Sequence, residues 1–423
     1  MWRLALLAVI AGCLRPSEHR CADDTACGAG SCVTATGYCA FADSCCLGAL
    51  RYGEGAGALA GSCVGGELCV GADAGTDDAS ALDASTFDAP PPIDAPPPSP
   101  AHLDPADSAV GSATMLVDGS TPLILDTTRL TIGGMASSLL DAAAQVPSGP
   151  ELAVLHLDEL RVAVGATLRV VGDRPLVIVA RAITIDGSVL AGAVGKDPGP
   201  GGAAPSMGTG RGLVGGTMGN DSGGGGGAGF GTDGAAGGAD GDNAAAAGGL
   251  GGGDHGDAPL TELVGGSGGG PGQTAPCTGT APSGGGGGGA LQLSARELIT
   301  VGATGVVAVG GGGGAGGRVC FVYDTPGAGG GSGGALYLQA DRIDAAGLLL
   351  ANGGGGGGAS RSNNGDGTAG RDGTTLAAAT GGQTGAVTTG GRGGALGAPP
   401  GTGLADGAGD GGGGGGAVGR IVL

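Results

Sequence analysis

Apolar and polar positions alternate over Gly334–Gly354, GALYLQADRIDAAGLLLANGG, with one slip in the middle. Leu336, Leu338 and Ala340 keep a period of two, and after the slip Ile343, Ala345, Gly347, Leu349 and Ala351 keep it again. A period of two predicts β-strand, and the slip predicts a corner between two short strands. Leu176, Ile178, Ala180, Ile183, Ile185, Gly187, Val189 and Ala191 repeat the pattern at the same offsets. Leu291, Leu293, Ala295 and Leu298 repeat its first half, and Leu155, Leu157 and Val162 form a poorer copy. One such strand pair carries too little apolar surface to fold alone, whereas stacked copies share a continuous core. The pattern therefore predicts an all-β chain, a right-handed parallel β-helix-like solenoid with long Gly-rich insertions. Its inward ladder is predicted to comprise Leu155, Leu157, Leu176, Ile178, Ile183, Leu291, Leu293, Leu298, Leu336, Leu338 and Ile343.

The sequence around these copies divides the chain further. Residues 1–12 hold one arginine, an apolar run too short to span a bilayer, and small residues at the end, which reads as a signal peptide. Ile10-Ala11-Gly12-Cys13 resembles the bacterial lipobox, which implies cleavage before Cys13 and acylation of that residue. Residues 13–70 add eight cysteines: Cys21, Cys27, Cys32, Cys39, Cys45, Cys46, Cys63 and Cys69. Behind an export signal, this density reads as a small disulfide-rich module. The pairing is open, because eight cysteines allow 105 connectivities. Zinc is disfavoured, since the stretch from Cys21 to Cys69 has neither a Cys-x-x-Cys pair nor a histidine. Cys277 and Cys320 are left over and read as a further candidate pair.

Residues 71–107 are rich in Asp, Ala and Pro and read as a disordered linker. Residues 108–150 are predicted to cap the solenoid, with strands at Leu123–Leu125 and Arg129–Ile132 and a short helix as one reading of Ser137–Val146. Residues 151–423 form the Gly-rich β-helix proper, closed by a last strand in Ala417–Leu423.

Composition changes this picture in two ways. The chain has 107 glycines among 423 residues, and each glycine in regular structure costs about 0.5–1 kcal/mol relative to alanine. The tracts 195–289 and 353–416 therefore read first as mobile loops on one face of the stack. A second reading is ordered packing of extended three-residue-per-turn strands, where only glycine fits. Gly216, Gly219, Gly225, Gly231, Gly234 and Gly237 keep such a register, with Ser222 and Ala228 between them. The net charge of −20 with a single lysine leaves no basic stripe for phosphates, so nucleic acid is excluded as a partner.

Taken together, the lipobox, the module CADDTACGAGSCVTATGYCAFADSCC, the linker, and the coils GGGGGGALQLSARELITV and GSGGALYLQADRI resemble glycine-rich predicted surface lipoproteins of large-genome Gram-negative bacteria. The resemblance implies an outer-membrane, cell-surface β-helix of unassigned function, attached by its lipid, and supplies no catalytic residues.

Three chemistries remain to be weighed. Aspartates punctuate the tracts, and Asp233, Asp240 and Asp242 come nearest to the GGxGxDxUx calcium repeat. All three are off pattern, so no cofactor is assigned and calcium stays a weak candidate. A glycan lyase or hydrolase needs carboxylates and a basic residue on one face. Asp158, Glu159, Arg161, Arg181, Arg296, Glu297, Asp341, Arg342 and Asp344 are the candidates, and a salt-bridged corner is their simpler reading. A surface-binding threonine ladder would have only Thr167, Thr184, Thr300 and Thr304. No GxSxG elbow and no GK[ST] phosphate loop occurs. The sequence thus predicts a non-enzymatic structural or adhesive lipoprotein, with extracellular polysaccharide or another cell surface as its partner.

Overall fold

The computed structural model of the chain describes residues 99–273, 281–320, 323–362, 365–405 and 409–423, together with 21–64 apart from 22, 28, 29, 43–45, 47–49, 54, 55, 57, 58, 60 and 61. The predicted signal peptide, Cys13, Cys45, Cys69, Cys277 and most of the predicted linker lie outside the described residues. The chain divides into two compact units at Pro90–Pro91. Among the described residues there is no α-helix.

In the first unit a 3-10 turn (Asp24–Cys27) precedes β1 (Ser31–Val33), β2 (Tyr38–Ala42) and β3 (Leu50–Tyr52), which pair antiparallel in that order. Tyr38, Ala40, Tyr52 and Ala56 make its small buried cluster. Disulfides Cys21–Cys32, Cys27–Cys39 and Cys46–Cys63 supply what so small a core cannot. In the second unit Cys320 is also disulfide-bonded.

The second unit begins with β4 (Thr114–Val117), β5 (Leu123–Asp126), β6 (Thr131–Ile132), β7 (Met135–Ala136) and β8 (Leu140–Ala143). There follow β9 (Leu152–His156), β10 (Glu159–Val162), β11 (Thr167–Val171), β12 (Leu176–Ile185) and β13 (Ser188–Leu190). The small hairpin β14 (Thr217–Met218) and β15 (Asp221–Ser222) lies in the first glycine-rich region. Later come β16 (Ala290–Val301), β17 (Val306–Ala308), β18 (Ala335–Gln339), β19 (Arg342–Ala345), β20 (Leu348–Leu350), the hairpin β21 (Gln383–Thr384) and β22 (Val387–Thr388), and β23 (Arg420–Val422). Ser137–Val146 contains a strand, β8, antiparallel to β9, and no helix.

Two largely parallel sheets result. One runs β23-β18-β16-β12-β10-β4, with β9 beside the first half of β12 and β19 beside the second half of β16; the other runs β20-β17-β13-β11-β5-β6-β7. Successive passages of the chain meet in register. Ala153, Leu176, Leu291, Leu336 and Ile421 form one ladder, and Leu155, Ile178, Leu293 and Leu338 a second. Met115, Leu160, Ile183, Ile299 and Ile343 form a third; Leu123, Leu168, Val189, Val307 and Leu349 a fourth. All four feed one apolar cluster, in which Leu176, Leu291 and Leu336 are fully buried.

One predicted core position is displaced. Ala180 faces Ala295 but Ala182 faces Leu298, so Arg181 stands opposite two residues, Arg296 and Glu297. This bulge adds one residue to β16. Ile299 therefore takes the buried place and Leu298 is only half-buried.

The described residues of the glycine tracts are ordered, which overturns their reading as mobile loops and bears out the second reading, ordered packing. Their amides bond in a rhythm of three. Gly223, Gly226 and Gly229 donate to the carbonyls of Gly216, Leu213 and Gly210; Gly224 and Gly227 donate to Gly238 and Ala235; Gly225 and Ala228 donate to Gly327 and Gly330. Three further segments donate into the same tract: Gly249 and Gly252 to Gly224 and Gly227, Gly270 to Gly226, and Gly414 and Ala417 to Gly225 and Ala228. An extended helix of three residues per turn has no internal hydrogen bonds. Its three N–H and three C=O groups point in six directions, so six neighbours satisfy the backbone completely. A Cβ at Gly226, Gly329 or Gly415 would lie closer than 3.0 Å to a neighbouring carbonyl oxygen. Positive-φ glycines lie instead at turns such as Gly219 and Gly385.

Phe230, Leu260, Leu263 and Leu103 cover the second face of the larger sheet, packing on Leu152, Val154, Val177, Val179, Ala290 and Ala335. The end of the predicted linker is thus part of the fold. His102 is buried between the side chain of Gln292 and the carbonyl of Leu260, 2.6 Å from each, with its ring edge-on to Tyr337. Gln292 in turn contacts Ser294 Oγ at 2.8 Å.

Candidate functional site

Short side chains at the tract ends bring carboxylates together. Asp221 opens β15 just before one tract, Asp240 and Asp242 follow another, and Asp410 precedes a third. Carboxylate oxygens of Asp221, Asp240 and Asp242 lie within 4.8 Å of one another. Asp240 is held by the turn it caps, its Oδ1 accepting the N–H groups of Asp242 (3.0 Å) and Asn243 (2.8 Å). Asn243 Nδ2 donates to Asp221 Oδ2 at 2.7 Å. Asp410 Oδ1 accepts the Ser222 N–H at 3.0 Å.

The electrostatics of this cluster are unusual. Asp410 is only 3% exposed, and its Oδ2 has no hydrogen-bond partner. Burial pushes its carboxyl up to about 8, and the Asp240 carboxyl set against it and the charge of Asp324 push the same way, while the Ser222 N–H opposes them. The carboxyl of Asp242 is raised as well, chiefly by its contact with Asp240 and then by that residue's charge. Like charges this close disfavour ionisation unless a proton or a cation stands between them.

Of the three aspartates singled out for calcium, Asp240 and Asp242 belong to this cluster and Asp233 does not. Asp233 Oδ1 accepts the Asp254 N–H at 3.0 Å instead. Asp221 and Asp410 were visible in the sequence only as aspartates among glycines. Their convergence depends on which tracts are neighbours, and the Gly411 N–H to Ser222 carbonyl bond and the Gly241 N–H to Gly409 carbonyl bond settle that.

The arginine candidates occupy the corner of the larger sheet. Arg181 reaches Asp158 at 3.0 Å through Nε and Glu297 at 3.0 Å through Nη1. These two acids raise its pKa further above the usual guanidinium value. Arg161 pairs with Glu159 at 2.7 Å, and Arg342 pairs with Asp344 at 2.9 Å rather than with Asp341. The corner is a row of mixed charge. Thr184 and Thr300 are register neighbours, but Arg161 and Asp344 flank them, so the threonine ladder stops at two.

At the other limit of the stack, among the described residues, β20 pairs only with β17 and β23 only with β18. Beside these strands lies a cavity of about 510 Å³ lined by Leu349, Leu376, Leu396, Pro399, Val418 and Ile421, among others. Leu396 is 96% exposed and Leu376 68%. No family model matches the chain, and no curated protein or solved structure matches it.

Proposed function

We propose that this chain is a non-enzymatic surface lipoprotein with a structural or adhesive role, anchored through an acylated Cys13 and facing outward from the outer membrane. On this reading the two parallel sheets are faces of a right-handed parallel β-helix. Each passage runs from the larger sheet round a short corner to the smaller one, as from β12 to β13 and from β16 to β17, and parallel crossovers strongly favour the right hand. The glycine tracts are then excursions between one passage and the next.

The observation that carries the adhesive role is where side chains are placed. The tracts fill their interior with backbone, and large apolar groups stand out from them, Leu250 (66% exposed) on a tract and Leu376, Leu396 and Met207 (62%) at or beside the connecting turns. Exposed apolar groups on a rigid frame suit contact with another surface. The frame itself suits a mechanical role, because pulling on one tract meets hydrogen bonds to its neighbours.

The test compares cells carrying the parent chain, none, or the Leu376→Ser/Leu396→Ser double variant. Attachment to other cells and to polysaccharide-coated surfaces should fall on deletion and fall in part with the double variant, at unchanged surface display. Globomycin treatment and Cys13→Ser should both remove the protein from the surface. Unchanged attachment in cells lacking the chain would defeat the adhesive reading.

A further inference from the structure

We propose that Asp221, Asp240, Asp242 and Asp410 form a calcium site that ties together the ends of three polyglycine tracts. The inference is independent of the adhesive role, since it concerns how the bundle is held. Two separate observations point to a cation. The first is the convergence of the Asp221, Asp240 and Asp242 carboxylates within 4.8 Å. The second is Asp410, which is buried to 3% exposure and set against Asp240, with Oδ2 lacking any donor. An acceptor in that position has been stripped of water and given no N–H or O–H in exchange, which is costly for a polar atom.

The ligand chemistry selects the ion. All the available atoms are hard oxygens, which excludes soft metals and suits calcium or magnesium. Calcium accepts 6–8 oxygens in irregular geometry at about 2.3–2.6 Å, whereas magnesium demands a tight octahedron and keeps its waters. Carboxylates arriving from three independent tract ends, spread over several ångströms, fit the larger and more tolerant ion. Asp240 is the pivot, because its Oδ1 is engaged by the turn while its carboxyl is set against those of both Asp410 and Asp242. A calcium ion there would replace the mutual repulsion of these carboxylates with attraction. It would also join the β14–β15 hairpin, the 239–245 turn and the strand entering at Asp410.

The rival arrangement is a shared proton between Asp240 and Asp410, and one set of variants separates the two. The full-length chain with intact disulfides is stripped with EGTA, and binding of calcium chloride is measured by equilibrium dialysis and by the shift in Tm. One saturable site per chain is expected, with Kd of about 0.1–1 mM as in extracellular modules, and with Tm rising as it fills. Asp410→Asn and Asp240→Asn should each weaken binding at least tenfold, and Asp233→Asn should leave it unchanged. Asp242→Asn is the additional variant should either of the first two fail to fold. If the pair merely shares a proton, Asp410→Asn mimics the neutral acid, keeps the parent Tm, and calcium moves neither protein. That result, a site that survives in both Asp410→Asn and Asp240→Asn, or equal competition by magnesium would each overturn the proposal.

Discussion

Glycine at a tract position is a packing requirement, and single substitutions expose the difference between one glycine and another. Gly329 faces the carbonyl of Gly226, and an added Cβ would overlap that oxygen. Gly119 has ordinary room, with its nearest neighbour 3.7 Å away and no positive φ. Gly329→Ala must push two hydrogen-bonded tracts apart, so a loss of at least about 1–3 kcal/mol is expected from overpacking. Gly119→Ala should be neutral or stabilise by up to about 1 kcal/mol, because it restricts only the unfolded chain. Urea midpoints of the two variants should move in opposite directions or differ by that amount. The same scale shows what the sequence could tell. Leu176, Leu291 and Leu336 could be recognised as one ladder because flanking residues repeat at identical offsets. Leu298 could not be placed, because the bulge opposite Arg181 adds one residue, and an insertion of one inverts the inward and outward positions beyond it.

At the scale of elements, the strands were legible, whereas the tracts were legible only as the second of two readings. Alternation marks a strand, since one face must be apolar, and it marked β12, β16 and β18. A polyglycine helix has no side chains and so no amphipathic period. Its three-residue register is almost invisible where nearly every residue is glycine. The acidic cluster was illegible for the same reason: nothing in the sequence says that the strand entering at Asp410 lies beside Ser222. Hydrogen exchange reads these elements directly. The amides of Gly225, Ala228, Gly329, Gly330 and Gly414 all donate to neighbouring tracts. They should exchange as slowly as those of β12 and β16, while the exposed tip of the β21–β22 hairpin exchanges fast. Rapid exchange throughout 223–231 and 327–334 would show that the lattice does not hold. Circular dichroism is a poorer test, because extended three-residue helices are also a major conformer of unfolded chains.

For the whole molecule, two kinds of interior coexist. The strand stack buries Leu, Ile and Val in the ordinary way, whereas the tracts bury peptide groups against peptide groups. The two leave different thermodynamic traces on unfolding. Exposed apolar surface raises the heat capacity by about 0.45 cal/K/mol/Å², while exposed polar surface lowers it by about 0.26. Urea, in contrast, solvates both apolar and peptide groups, and its m-value follows the total surface exposed. A chain with 107 glycines should therefore show an ordinary m-value for its size together with a low ΔCp. The ratio of the two is the useful quantity, because it does not depend on how many residues unfold. Calorimetry on the full-length protein at several pH values gives ΔCp from the slope of ΔH against Tm, and urea titration gives m. The expected ΔCp is well below the usual range of about 12–15 cal/mol/K per residue. The stability curve would be correspondingly flat, with little loss on cooling. A ratio equal to that of ordinary domains would mean that the apolar stack alone unfolds cooperatively and that the glycine lattice contributes nothing to the transition.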